Sequence, residues 1–304
     1  MTKTFGQHTA VRDLALEVPR GSLYGFIGPN GSGKTTTIRM ILHIIQSDSG
    51  TVEVLGETGT RAANDRVGYL PEERGLYKKM TVRRLLQYYG SLKGMAVRDA
   101  SREADMWLEK LSLTEWRNAK VEALSKGMSQ KIQFISTVIS RPELIILDEP
   151  FSGLDPVNLE VLRSAILDLV SEGTTVVLST HDMSVAEELC DNLVMIFKGD
   201  KVLDGTIQDI QSQYGQDTIR LRTDAGMDAL RAISGVSNIR DLGAMQEVRY
   251  LGDSQDLLRE LTQKTHVRHF EEAQPTLHDI FIRIAGPEAA EATHRTAAEI
   301  EVSA

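Results

Sequence analysis

Along this chain the spacing of apolar positions switches repeatedly between periods close to two and close to 3.6, the marks of strand and helix. Ala10–Val18 alternates and predicts a strand, and Pro19–Ser22 turns the chain into Leu23–Ile27, an apolar run expected to be a short buried strand. Thr36–Ile45 then carries apolar residues at helical spacing. A turn at Ser47–Gly50 leads to an alternating strand over Thr51–Leu55. Val67–Leu70 predicts another, stopped by Pro71 before a polar loop over Glu72–Tyr77. From Thr81 to about Arg141 the spacing is helical throughout. Thr81 is placed to cap Val82–Tyr89, Arg98–Leu111 continues the pattern, and Ser125–Ser140 sets Ile132, Ile135, Val138 and Ile139 on one side. Strand-like runs resume at Glu143–Asp148 and Thr174–Thr180, each followed by a helical run, at Val157–Ser171 and Ser184–Cys190. Leu193–Phe197 and Lys201–Leu203 form a hairpin around Lys198–Asp200. Apolar strands interleaved with helices predict an α/β core, a parallel sheet with helices on both faces, here interrupted by a helical insert.

Past about Tyr214 the pattern changes. Thr218–Arg222, Met227–Ile233, Val236–Ile239, Glu247–Leu251, Gln255–Thr262 and Val267–Phe270 follow the order strand, helix, strand, strand, helix, strand. That order predicts a small ferredoxin-like α+β domain, with one more helix at Thr276–Ala285. Gly286–Ala304 is Ala-rich with four glutamates and one arginine, and reads as a solvated, disordered tail. The expected division is 1–213 with a helical subdomain at about 81–141, then 214–285, then the tail over 286–304. A chain of 304 residues is long enough for such a core plus one smaller domain. The net charge of −9 argues against a surface built to neutralise nucleic-acid phosphates. The single cysteine, Cys190, excludes a disulfide framework within the chain and any Cys-rich zinc site. Neither an apolar leader near Met1 nor a run approaching 18 apolar residues is visible, so the chain is expected to be cytoplasmic unless something tethers it.

The candidate chemistry centres on Gly28–Thr36, which reads GPNGSGKTT. Gly28, Gly33, Lys34 and Thr35 satisfy G-x-x-x-x-G-K-[ST] between a predicted strand and a predicted helix, the context a phosphate-cradling P-loop needs. Glycines let backbone N–H groups turn inward on the β- and γ-phosphates, at a helix start that favours anions. Lys34 would reach the β/γ oxygens and the Thr35 hydroxyl would hold Mg²⁺. Pro29, Asn30, Gly31, Ser32 and Thr36 complete the ATP-binding stretch. Asp148 and Glu149 end an apolar strand as a Walker B element would. Asp148 would then act on Mg²⁺ directly or through its waters, and Glu149 would polarise the attacking water. Read structurally, the same pair is a helix cap at a strand end. Ser125 and Gly127, at the start of a helix in Leu124–Gln130, make a second place for an anion.

With these elements in order, the chain resembles the ATP-binding cassette (ABC) ATPases. The residues that carry the resemblance are GPNGSGKTT, LSKGMSQ at Leu124–Gln130, LIILDEP, SGLDP at Ser152–Pro156, and His181 after the strand at Thr174–Thr180. Together they span roughly 200 residues, and the ending PTLHDIFIRI extends the likeness to an exporter-associated branch. The resemblance implies a P-loop NTPase cassette in which a parallel core is joined by an antiparallel β region and a helical subdomain. It implies a head-to-tail dimer, with a second copy or a related cassette, in which each ATP lies between one P-loop and the partner's Ser125, Lys126, Gly127 and Met128. Asp155 would couple the two sites, His181 would meet the γ-phosphate, and Phe5 aligns with an aromatic that stacks on adenine.

The chain departs from the family pattern in two places. Where the signature usually reads LSGGQ, Lys126 and Met128 stand at the third and fifth positions, with Gly127 retained. Where the family has Gln after the Val67–Pro71 strand, Glu72 stands, a better Mg²⁺ ligand than an amide. PEERGLY with LSKGMSQK resembles the sodium-export-type and related efflux ATPases. The function this implies is an ATP-hydrolysing subunit that powers an exporter through separate membrane permease subunits. It would be peripheral on the inner face of the cell membrane and touch the bilayer only through the permease. A soluble non-transport ABC ATPase and a regulatory nucleotide-binding module are the competing classes. The first typically carries two cassettes per chain, and the second would be expected to lose Glu149 or His181.

Overall fold

The chain opens with a two-stranded antiparallel sheet, β1 (Lys3–Phe5) and β2 (His8–Val11). The expected strand over Ala10–Val18 therefore ends at Val11. Asp13 turns into the left-handed region at φ 41°, and beyond it Leu14 is buried while Leu16 and Val18 pack against the core. The alternation was a record of side-chain packing, with no ladder behind it. Next come β3 (Leu23–Ile27) and helix α1 (Lys34–Ile41), which is shorter than the periodicity predicts because His43 leaves the helix at φ 53°. β4 (Glu53–Val54) and β5 (Glu57–Thr58) form a small antiparallel pair, so only two residues of the Thr51–Leu55 expectation are in a strand.

β6 (Val67–Leu70) leads into the helical region, α2 (Val82–Leu92), α3 (Val97–Lys110) and α4 (Lys126–Val138). Gly90 lets α2 and α3 close up, since a Cβ there would meet the Ala100 Cβ at 2.7 Å. Trp107 stacks edge-on against Phe134, linking α3 to α4. The core then resumes with β7 (Leu144–Asp148), α5 (Pro156–Ser171), β8 (Thr175–Thr180), α6 (Met183–Leu189) and the hairpin β9 (Asn192–Phe197) with β10 (Asp200–Thr206). The six strands order as β10-β9-β3-β8-β7-β6, and from β9 to β6 all neighbours are parallel. Every residue of β3, β7 and β8 is buried, as expected for central parallel strands that read as unbroken apolar runs.

The register of those strands places the chemistry. Ile27 pairs with Thr180, and Asp148 pairs with Ser179. The loops leaving β3, β7 and β8 thus emerge side by side at the carboxyl edge of the sheet, where open α/β sheets take their ligands.

Residues 1–58, 65–73, 75–214, 217–224 and 227–286 are described in this computed structural model, and they form two units, Met1–Gly205 and one beginning at Thr206. The expected tail lies outside the described residues from position 287 onward. The second unit runs α7 (Ile207–Tyr214), β11 (Thr218–Thr223), α8 (Met227–Arg231), β12 (Val236–Asp241), β13 (Gln246–Tyr250), α9 (Ser254–Lys264), β14 (Val267–Glu272) and α10 (Leu277–Ala285). Its antiparallel sheet orders as β12-β13-β11-β14, the arrangement of a ferredoxin-like unit. It has its own core, with Ile219, Leu221, Leu230, Val248, Leu257 and Leu261 buried together. Thr276 and Asp279 form a capping box at the start of α10. Asp217 gathers Arg249 and Arg283, tying the strand edge to that helix. Among the described residues no helix is long and apolar enough to cross a membrane.

Candidate active site

The turn after β3 is shaped by two glycines with no room for a side chain. A Cβ at Gly28 (φ 151°) would lie 2.2 Å from the Ile196 carbonyl oxygen, and one at Gly33 (φ 114°) would lie 2.4 Å from that of Ala10. Between them the Ser32 N–H donates to the Pro29 carbonyl at 3.1 Å, and the Ser32 carbonyl accepts from the Gly199 N–H at 2.9 Å. Asn30 and Gly31 are exposed at the tip, and Thr36 is half-buried in the first turn of α1. The first N–H groups of that helix have no partner within it and face the open side of the loop as donors.

Lys34, only 6% exposed, turns back over this loop. Its ammonium donates to the Gly28 carbonyl at 2.6 Å and the Pro29 carbonyl at 3.3 Å, and stands 3.8 Å from Glu149 Oε1. Burial pulls its pKa down, against the pull of Glu149, Asp148 and Glu72. Thr35 Oγ1 donates to Asp148 Oδ2 at 3.1 Å. Asp148 is wholly buried, and both its Oδ1 and the Ser179 hydroxyl beside it lack a hydrogen bond. Burial pushes its carboxyl above the usual range, and the neighbouring Ser179 and Thr35 hydroxyls oppose that shift.

Glu149 follows with a left-handed backbone at φ 50°, uncommon for a residue with a long side chain. Its N–H donates to the Ser179 carbonyl at 3.0 Å, and its carbonyl accepts from the Ser152 N–H at 3.2 Å. The side chain is buried, with Oε1 2.9 Å from His181 Nδ1 and Oε2 3.5 Å from Thr180 Oγ1. The Glu149 hydrogen bond holds His181 toward its protonated form, against the effect of burial. Glu72 lies on the exposed loop after β6. Partial burial, with the carboxylates of Asp148 and Glu149 nearby, raises its pKa. Thr35, Asp148 with its unpaired Oδ1, and Glu72 offer oxygen donors alone, the chemistry that suits a hard cation such as Mg²⁺.

The remaining expected residues gather elsewhere in the same unit. Ser125 caps α4, its Oγ accepting from the Met128 N–H at 3.2 Å. Lys126 lies across Gly153, where a Cβ would come 2.6 Å from Lys126 Cε. A Cβ on Gly127 would meet Asn158 Nδ2 at 3.2 Å, and Asn158 in turn donates its backbone N–H to Asp155 Oδ1 at 3.0 Å. Among the described residues no hydrogen bond or ion pair joins Ser125–Met128 or Asp155 to Gly28–Thr36 within one chain. Phe5 projects from β1, half exposed, with the Lys3 ammonium 5.4 Å from its ring centre.

Sequence reasoning passed over two buried amides of α4. Gln130 Nε2 donates to the Pro150 carbonyl at 3.0 Å, and Gln133 Nε2 donates to the carbonyls of Pro71 and Glu73. A signal was available: Gln130, Gln133 and Thr137 form a polar stripe at helical spacing beside the apolar face.

A glycine-pinched loop with a buried lysine, beside a carboxylate pair at the carboxyl edge of a parallel sheet, defines a nucleotide-binding P-loop fold. Residues 11–152 match the ABC transporter family, and residues 205–285 match the C-terminal domain of the DrrA1-3-like ATP-binding proteins. An ABC transporter ATP-binding protein of Bacillus subtilis, YhaQ, is 43% identical over 94% of this chain and 97% of its own length. The Nod factor export ATP-binding protein I of Burkholderia lata is 32% identical over 94% of this chain and 95% of its own. The solved structure of an ATP-binding subunit of an ABC transporter, 29% identical, superposes with a TM-score of 0.66, covering 76% of this chain and 95% of that one. The chain belongs to the ABC transporter family, as one of its ATP-binding subunits.

Proposed function

We propose that this subunit binds ATP with Mg²⁺ at the P-loop and hydrolyses it to drive export through separate permease subunits in the membrane. It would work as a head-to-tail pair of cassettes on the inner face of the cell membrane. The observation that carries the hydrolytic part is the placement of Glu149, whose carboxylate stands between the Lys34 ammonium at 3.8 Å and the His181 ring at 2.9 Å. Glu149 takes a proton from water as its oxygen bonds to the γ-phosphorus. The bond to the β–γ bridging oxygen breaks, and the proton passes to the phosphate released. Lys34 exchanges its loop carbonyls for β/γ oxygens and neutralises the charge on the group in flight. His181, with Nδ1 committed to Glu149, offers Nε2 to a γ-oxygen. Thr35, Asp148 and Glu72 would hold the Mg²⁺, which when bound would supply charge neutralisation to the phosphates. Ser125–Met128 and Asp155, which among the described residues bond to nothing in this chain's own P-loop, would serve the partner's ATP. The export reading is supported by the Nod factor export relative, whose likeness runs through nearly the whole chain.

Replacing Glu149 with Gln keeps the shape and removes the base. Glu149→Gln is expected to bind ATP as the wild type does while losing turnover by about 10²-fold or more. Wild-type hydrolysis in that variant would remove Glu149 from the catalytic role.

A further inference from the structure

Helix α4 carries a second device, about one and a half turns beyond the Ser125–Met128 segment at its start. Gln133 is buried, 5% exposed, and its Nε2 donates to the carbonyl oxygens of Pro71 and of Glu73, each at 3.3 Å. One turn further on, the Thr137 hydroxyl has one proton and two acceptors in reach, the Gln133 carbonyl of its own helix at 3.0 Å and the Tyr69 carbonyl of β6 at 3.4 Å. Helix and strand run close enough here that a Cβ on Gly68 would lie 2.6 Å from the Thr137 carbonyl oxygen. The geometry is self-consistent. Gln133 and Thr137, one turn apart, share one helix face, and the chain they meet runs from β6 through Pro71 into a bend at Glu72 and Glu73.

One side chain therefore grips the backbone on both sides of Glu72, the residue standing where the family has Gln. The other end of the same amide is unsatisfied, because Gln133 Oε1 is buried without a hydrogen-bond partner. A methionine would fill that space without stranding an acceptor. What the amide adds over an apolar side chain is its pair of donors, and both are spent on the carbonyls flanking Glu72.

We propose that Gln133 is a positioning residue that fixes where the Glu72 carboxylate points, and that it ties this aim to helix α4. Since α4 begins at the segment assigned to the partner's ATP, a shift of that helix carries Glu72 with it. The inference rests on the reading of Glu72 as a cation ligand.

The test uses the full chain, with Mn²⁺ standing in for Mg²⁺ and a non-hydrolysable ATP analogue bound, and follows Mn²⁺ binding by electron paramagnetic resonance. Glu72→Ala and Gln133→Met are each expected to weaken Mn²⁺ binding, Gln133→Met by about tenfold, the scale seen for residues that orient metal ligands. In the Glu72→Ala background, Gln133→Met should add nothing further. Binding of the analogue without metal, which relies on the P-loop, should stay at the wild-type level and serves as the folding control. Should Gln133→Met fail that control, Gln133→Asn replaces it, with its donors one methylene short and a smaller loss expected. An unchanged Mn²⁺ affinity in Glu72→Ala would remove Glu72 from the cation site and take the Gln133 assignment with it. If Glu72→Ala weakens binding, the cation reading stands. In that case an inert Gln133→Met, or one equally damaging without Glu72, overturns the positioning role alone.

Discussion

Lys34 is held by its own loop, bonded to the carbonyls of Gly28 and Pro29 and within 4 Å of Glu149 (3.8 Å). A buried ammonium so surrounded is a poor spectator, because truncating it leaves two carbonyls and a carboxylate without their cation. Lys34→Ala is therefore expected to weaken ATP binding itself, in contrast to Glu149→Gln, by at least about tenfold for loss of a charge-assisted bond. Equilibrium binding of a fluorescent ATP analogue reads this directly, and unchanged affinity would count against the P-loop assignment. At this scale the sequence was most legible where geometry forces residue type. Gly28 and Gly33 are glycines because carbonyl oxygens occupy the space of a Cβ. Asp148 could be placed because an acid ending an apolar run must end a buried strand. What could not be read was Lys126 lying on Gly153, or Gln133 reaching the loop after β6, since both join segments distant in sequence.

At the scale of elements, the strands of the core followed from unbroken apolar runs, and β11 to β14 with their helices followed from the order of periods. Where the reading of elements failed, it failed for physical reasons. The Ala10–Val18 alternation reflected packing of Leu14, Leu16 and Val18 on the core, which a laddered strand and an irregular segment satisfy equally. Helix α7 was passed over, although Thr206 caps it, its Oγ1 accepting from the Asp209 N–H at 3.0 Å, a threonine-x-x-aspartate start legible in the sequence. The second unit also has a pH-dependent tie between elements. Burial pushes the Asp217 carboxyl up, but the Arg249 hydrogen bond and the charges of Arg283 and Arg249 more than offset this and hold it below its ordinary value. A group depressed on folding contributes stability that is full above its unfolded pKa, about 4, and is lost as pH falls through the folded value. Thermal unfolding of the wild type and Asp217→Asn should therefore differ most near neutral pH and converge as pH falls below about 4. A gap that stays constant over that range would show that the charge of Asp217 adds nothing.

At the scale of the whole molecule, the described residues form two units. The first carries every residue assigned to nucleotide chemistry, and the second carries none of them. Among the described residues no helix is long and apolar enough to cross a membrane, and the export reading proposed above assigns the passage to separate permease subunits. Gentle detergent extraction of native membranes, with this chain as bait, is expected to recover a multi-span permease in stoichiometric amount. Recovery of soluble partners alone would sink the export reading and leave the ATPase chemistry standing. The P-loop bears on how such a motor runs. Two of its three glycines, Gly28 and Gly33, are wedged against the backbone of β9 and β2, so both ends of the loop are shaped before a nucleotide arrives, with only the tip at Gly31 in open space. A mould finished in advance gains no selectivity from being remade around its guest. Little freedom is then lost when phosphates settle into it, so affinity goes to contacts and not to shaping the loop.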